Sequence, residues 1–359
     1  MTATANLSVM CNTISNNIDL QNDLYGFRRG EQYILLALYG LVISAGVVSN
    51  LVVIGLIVFC SALRTWRNCF IAQLAASDLM LCAVTSPTTV YLTMFTYWPF
   101  GTLSCKLTAS LQAFNIFLSC LTLVAIAVDR YLLVILPVRW RDQGSSLGLI
   151  LVAVWTISIV AAAPYFYVVG LVSVPPWNYS PFSNVLALCN QTVPMFCVEE
   201  FGRVPWIDKK VFTVVVLLLQ YFVPLSAILF VYFSISRSTR HRRGLARRSR
   251  NKYLFTGLVV VFGVCWLPSN LYCMLDAFEM ITFSQRFYIF LHLLGMFTSC
   301  IDPVMYGFYN VNLQQAFLRL IGRAPSQRHT SIRQALFELL PISTMQGTYN
   351  ATVQQNSDP

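Results

Sequence analysis

Seven long stretches of this chain are almost free of charge, and no other feature restricts the possible folds as much. A helix needs about 20 mostly apolar residues to cross the hydrocarbon of a bilayer. Runs of that length cover residues 33–60, 69–96, 107–128, 147–170, 211–236, 253–275 and 287–308. Only two acids fall inside them, Asp78 in the second and Asp302 in the seventh. Composition points the same way: 57% of residues are hydrophobic and 11% charged, against roughly 45–50% and about 25% in soluble domains. So few charges cannot coat a soluble globule of 359 residues. Eleven cysteines are also too sparse for a secreted disulfide scaffold. The expected fold class is an all-α membrane protein, a seven-transmembrane helix bundle followed by a short amphipathic eighth helix.

The sign of the remaining charge predicts the orientation. One set of loops and the C-terminal tail hold 17 Lys and Arg against four acids, while the opposite set holds seven against eight. Basic loops stay in the cytoplasm, so the N-terminus is expected outside and the C-terminus inside. The net charge of +10 thus marks topology and is no sign of a nucleic-acid partner. Asn6, Asn178 and Asn190 head glycosylation triplets on the predicted outer side. No basic segment precedes an apolar one before residue 33, so the first span is expected to serve as its own insertion signal. The predicted organisation is an extracellular segment over 1–32, the bundle over 33–310, an amphipathic helix over 311–320 and a disordered cytoplasmic tail over 321–359. In the eighth helix Leu313, Phe317 and Leu320 would form the apolar side.

Short motifs recur at particular depths. Ser49-Asn50 lies in the first span, Leu74-Ala75-Ala76-Ser77-Asp78 in the second, Asp129-Arg130-Tyr131 at the inner end of the third, and Trp155 in the fourth. Pro224 is followed eight residues on by Tyr232 in the fifth. Cys265-Trp266-Leu267-Pro268 lies in the sixth, and Asp302-Pro303-Val304-Met305-Tyr306 ends the seventh. In this order across seven spans, the set resembles the rhodopsin-like G-protein-coupled receptors, from about residue 33 to residue 320.

An ionised carboxylate at mid-membrane costs at least about 2.5–3.5 kcal/mol, so Asp78 and Asp302 need partners. Asn115, Ser119, Thr298 and Ser299 are polar at matching depth. By resemblance, Asp78, Asn115, Ser119, Ser299 and Asp302 imply an allosteric sodium site of oxygen ligands; a polar interhelical network without an ion is the alternative. No other cofactor is implied. The resemblance also implies a switch built from Asp129, Arg130, Tyr131, Tyr232, Phe262, Trp266, Pro268 and Tyr306, meeting a heterotrimeric G protein, with arrestin and a receptor kinase acting on the tail and lipid around the basic loops. Cys120 stands where the family keeps a branched aliphatic. Cys105 matches the family's conserved half-cystine, and Cys197 fits its partner best, with Cys189 as the alternative; a second bridge from Cys11 to Cys189 stays open.

Gln112 replaces the Asp that amine receptors carry, and the seventh span lacks the Lys an opsin needs. Thr89, Gln112, Gln220 and His292, with the segment Cys197-Val198-Glu199-Glu200, are similar to neuropeptide Y, neuropeptide F and FMRFamide-like receptors. That likeness implies an amidated neuropeptide ligand and coupling to Gi/o, with Glu199, Asp276, Glu279 and Trp266 completing the binding set. The acid that meets the ligand Arg in many such receptors is replaced by Ala277, flanked by Asp276 and Glu279. A receptor for another peptide class, tachykinin-like and coupled to Gq, is the alternative, and a seven-span transporter the reading from a different class. Three scattered histidines and no HExxH motif argue against an enzyme. The expected location is the plasma membrane.

Overall fold

The structure is a computed structural model that describes residues 9–13, 16, 27, 29–95, 97–135, 144–173, 189, 195–240 and 246–322. The chain divides into two units, residues 1–314 and 315–359. The first unit contains seven helices long and apolar enough to cross a membrane. They are α1 (Arg29–Phe59), α2 (Trp66–Met80, Leu81–Thr85, Ser86–Phe95), α3 (Gly101–Ile135) and α4 (Gly144–Val168). After them come α5 (Lys209–Leu217, Leu218–Phe222, Val223–Arg240), α6 (Ala246–Ala277) and α7 (Gln285–Met296, Thr298–Tyr309). A final helix, α8 (Val311–Leu320), runs into the second unit.

Most of these helices outrun their charge-free stretches. α3 takes in Lys106 at one end and Asp129 and Arg130 at the other. Lipid restricts which residues can sit in hydrocarbon, but the backbone hydrogen-bond ladder continues into the headgroup region. Apolar side chains point outward on every span; Leu149 and Val160 of α4 are 71% and 67% exposed. A water-soluble bundle could not tolerate such a surface.

Proline shapes two helices, and a third is interrupted without one at the break. In α2 the turn Leu81–Thr85, just before Pro87, widens to π geometry, and Thr85 and Ser86 hydroxyls donate to the Leu81 carbonyl at 2.9 and 2.7 Å. The turn Leu218–Phe222, just before Pro224, does the same in α5. A proline lacks the donor its helix expects, and a wider turn or a nearby hydroxyl takes up the loss. α7 breaks at Phe297, where Thr298 donates to the Gly295 carbonyl at 2.7 Å.

Polar side chains pin the helices together. Asn50 donates to the carbonyls of Gly46 and Ser299, both at 2.9 Å, joining α1 to α7. Gln73 donates to Thr122 at 2.6 Å and accepts from the Trp155 indole at 3.1 Å, joining α2, α3 and α4. Tyr221 donates to the Gly263 carbonyl at 3.0 Å across α5 and α6. Such bonds can only be exchanged for others within the bundle, since lipid offers none.

One end of the bundle carries a hairpin, β1 (Val169–Val172) and β2 (Phe196–Glu199), antiparallel with Leu171 opposite Cys197. Cys105 at the start of α3 is bonded to Cys197, and Cys11 to Cys189. Cys105 is fully buried, in a cluster with Trp98 and Val169.

Candidate functional site

Two regions on the bundle's inner surface concentrate the polar residues singled out above: a mouth at the hairpin end and a cavity deeper in. They are connected along α7. Tyr288, His292, Gly295, Ser299 and Asp302 recur at intervals of three and four residues, the spacing of a single helix face.

At the mouth, α5 begins with Asp208 as its cap, accepting from the Val211 amide at 3.0 Å. Lys209 and Lys210 follow. Lys209 lies 2.9 Å from Asp276 at the end of α6, and Lys210 lies 3.4 Å from Glu279. Asp276 and Glu279 thus already have internal cations, which sequence reading missed even though the two lysines open the fifth helix. Glu279 has φ +58°. Its amide donates to the Asp276 carbonyl at 2.9 Å and the next amide, Met280, to Leu275 at 3.0 Å. This is the paired hydrogen-bond closure of a helix end whose left-handed position ordinarily holds glycine.

Glu199, at the end of β2, makes no ion pair within 4 Å among the described residues. It is walled by protein yet open to water. Its carboxyl titrates above the ordinary range: enclosure raises it most, Lys209 opposes the rise and Asp276 adds to it. Below this acid, the Gln112 side chain of α3 lies close to the Tyr288 hydroxyl. Thr89 is buried and donates to the Thr85 carbonyl at 3.0 Å. Gln220 is buried inside the widened turn of α5, its Nε2 without a partner, while its carbonyl lies 2.9 Å from the Cys120 thiol. His292 is 1% exposed; its Nδ1 lies 3.0 Å from the Tyr39 hydroxyl and its Nε2 has no partner.

Trp266 stands above the inner cavity, its ring centroid 6.3 Å from that of Phe262. It rests on Gly295: a methyl there would come within 3.0–3.1 Å of three ring carbons. Only glycine lets the indole lie this close to α7.

The inner cavity is lined by Ser77, Asp78, Asn115, Ser119, Phe262, Trp266, Thr298 and Asp302, among others, and has a volume of about 20 Å³. That holds one water-sized occupant. Ser299 donates to Asp78 Oδ1 at 3.4 Å, and Ser77 bonds Ser119 at 3.0 Å. Asp78 and Asp302 face the same cavity, close enough to interact, and Asp78 Oδ2 has no hydrogen-bond partner. Both polar atoms of the Asn115 amide are buried without partners. Two adjoining buried carboxyls need a positive charge between them, either a shared proton or a cation.

Asp129 is buried at the inner end of α3, and Tyr131 is half-buried. The side chains of Arg130, Tyr232 and Tyr306 lie outside the described residues, as do Asn6, Asn178, Asn190 and the tail.

The profile of the 7 transmembrane receptor (rhodopsin family) matches residues 49–306. A mouse protein, neuropeptide Y receptor type 6, is 32% identical over 80% of this chain and 80% of its own length. The neuropeptide F receptor of Drosophila melanogaster is 31% identical over 81% of this chain and 63% of its own. The RYamide receptor of Tribolium castaneum is 26% identical over 81% of each. Profile and spans converge: the chain belongs to the rhodopsin family of seven-transmembrane, G-protein-coupled receptors, multi-pass membrane proteins rather than enzymes.

Proposed function

We propose that this receptor answers to an amidated neuropeptide whose basic side chain meets Glu199 and whose neutral amide enters among Gln112, Gln220 and His292. The observation that carries this reading is the contrast in depth. Acids gather at the mouth, whereas the groups directly below it, Thr89, Gln112, Gln220 and His292, carry no carboxylate, and two of their nitrogens, Gln220 Nε2 and His292 Nε2, have no partner. A free carboxylate at that depth would be a buried charge with no cation to meet it, and a carboxamide would not. Relatives named for neuropeptide Y, neuropeptide F and RYamide support the same ligand class.

The N-terminus lies outside, following the basic loops, and the receptor works at the plasma membrane. Agonist binding favours one arrangement of the bundle by differential affinity. Trp266, held against Gly295 by close contact, transmits the change toward Phe262 and the inner ends of α5 and α6, where a G protein of the Gi/o class docks. Serines and threonines of the tail serve a receptor kinase and arrestin. Asp78, Asn115, Ser119, Ser299 and Asp302 supply the oxygen donors that suit a sodium ion. Those side chains would hold the ion, whose single charge would offset one of the two carboxylates while a proton offsets the other, favouring the inactive arrangement.

The test is a screen of RFamide, RYamide and neuropeptide Y-like peptides on cells with the receptor shown at the surface, reading cyclic AMP and calcium. An amidated peptide should lower cyclic AMP, and its free-acid form should be much weaker. Silence to all amidated peptides would refute the ligand class.

A further inference from the structure

Tyr39 of α1 reaches two groups on α7 with one hydroxyl. Its oxygen is 2.9 Å from the Ile289 carbonyl and 3.0 Å from His292 Nδ1. The two rings stack with centroids 6.2 Å apart. Both residues are 1% exposed. The surroundings of Tyr39 are apolar: Leu35, Val42, Ile289 and Met296.

A carbonyl oxygen can only accept. At 2.9 Å from it the phenol must point its single proton at Ile289, since otherwise two sets of lone pairs would face each other. That leaves the phenol oxygen free only to accept from Nδ1, so Nδ1 must carry a hydrogen. A second ring proton would bury a cation beside an apolar cluster. The imidazole is then neutral, and the other nitrogen, Nε2, is an acceptor with no donor.

We infer that Tyr39 is a positioning residue: it fixes His292 in the Nδ1–H form, so that Nε2 selects a hydrogen-bond donor on the ligand's buried end. The inference deepens the peptide-amide reading and rests on it for the identity of the donor, an amide N–H. A terminal carboxylate has only acceptors and would face the Nε2 lone pair. Tyr39 thereby sets the preference for amide over acid without touching the ligand.

The chain has three histidines, so nitrogen NMR of purified full-length receptor carrying ¹⁵N-histidine can resolve them, with His292→Gln identifying the third signal. The wild type should show a pyrrole-type Nδ1 and a pyridine-type Nε2 at His292. Tyr39→Phe should shift His292 toward the Nε2–H form. In cells, Tyr39→Phe should cut the amide-over-acid potency ratio by about tenfold, the size of one buried hydrogen bond left unpaired. A wild-type His292 protonated at Nε2, or a potency ratio unchanged in a well-expressed Tyr39→Phe receptor, would overturn the inference. If Tyr39→Phe fails to reach the surface, the wild-type spectrum decides. If no amidated peptide acts on the wild type, the ligand reading fails while the spectrum still tests the tautomer.

Discussion

The mouth and the buried middle of the bundle both collect acids, and they treat them in opposite ways. At the mouth, Asp276 and Glu279 are each matched by a lysine from the start of α5, with water close by. In the middle, Asp78 and Asp302 share one cavity with hydroxyls, the Asn115 amide and apolar side chains but no cation in its lining, and Asp78 Oδ2 and the Asn115 amide lack partners. Water makes an exposed pair nearly neutral in energy, on the order of 0–1 kcal/mol. Without water, an unmatched carboxyl is costly and must recruit a charge. Charge at the mouth is therefore suited to adjusting affinity, and charge in the core to holding a state.

Four measurements sharpen or break that contrast. The largest effect is expected from Cys105→Ser. This bridge sits in the buried cluster beneath the hairpin that carries Glu199, and removing such a link costs about 2–5 kcal/mol. Ligand binding should disappear and surface expression fall several-fold, whereas Cys11→Ser should leave most binding intact. Loop length alone ranks the two bridges the other way, with separations of 178 and 92 residues, but a doubling is worth only about 0.6 kcal/mol. Burial decides, and equal losses in radioligand binding would show that it does not.

Next comes the core. Replacing an inert bulky cation with sodium should weaken agonist binding to the wild type by about tenfold, within the usual range of coupling between sites. Asp78→Asn should abolish the dependence and Asp302→Asn reduce it. A sodium response that survives Asp78→Asn would remove the cation from the pair.

At the mouth the effects are smaller and graded. Glu199→Gln should weaken an Arg-containing peptide by about tenfold, and Asp276→Asn by only about threefold, because Lys209 already occupies that acid. The ranking places Glu199 ahead of the two acids that flank Ala277. Peptides with Arg replaced by citrulline should not discriminate between these variants. Only the ionised carboxyl attracts the guanidinium, and Glu199 titrates above the ordinary range. Potency should therefore fall as pH drops through that raised titration, and the profile should flatten in Glu199→Gln. The same raised value means that ionised Glu199 opposes folding, a penalty present above its folded titration and relieved as pH falls below it.

The smallest effect concerns Glu279, in the left-handed position at φ +58°. Glu279→Gly relieves the backbone and gives up an exposed ion pair. Melting of purified receptor should rise by about 2 °C with signalling unchanged. A clear loss of peptide potency would restore Glu279 to the binding set.

Much of the site was visible as residue types at depths. Asp78 and Asp302 stood out because acids are rare in apolar runs, and Cys105, Trp266 and Pro268 because they sit in ordered motifs. Tyr39 gave no signal, being one of 17 tyrosines and separated by 253 residues from the histidine it touches. Gly295 gave none either, since its role is the absence of a side chain beneath Trp266. Lys209 and Lys210 were counted as loop charges, and their pairing depends on where α5 and α6 end in space.

The chain by itself determined the seven spans, their expected orientation and the depth of every acid, because lipid penalises charge and unpaired backbone groups wherever they occur along the sequence. Tertiary structure decided which polar groups meet. It paired the mouth acids with lysines, brought two carboxyls into one cavity and set a single phenol between a carbonyl and an imidazole. Those outcomes depend on helix rotation, on the widened turns before Pro87 and Pro224 and on the break at Phe297, all of which shift side chains by distances that local pattern does not encode.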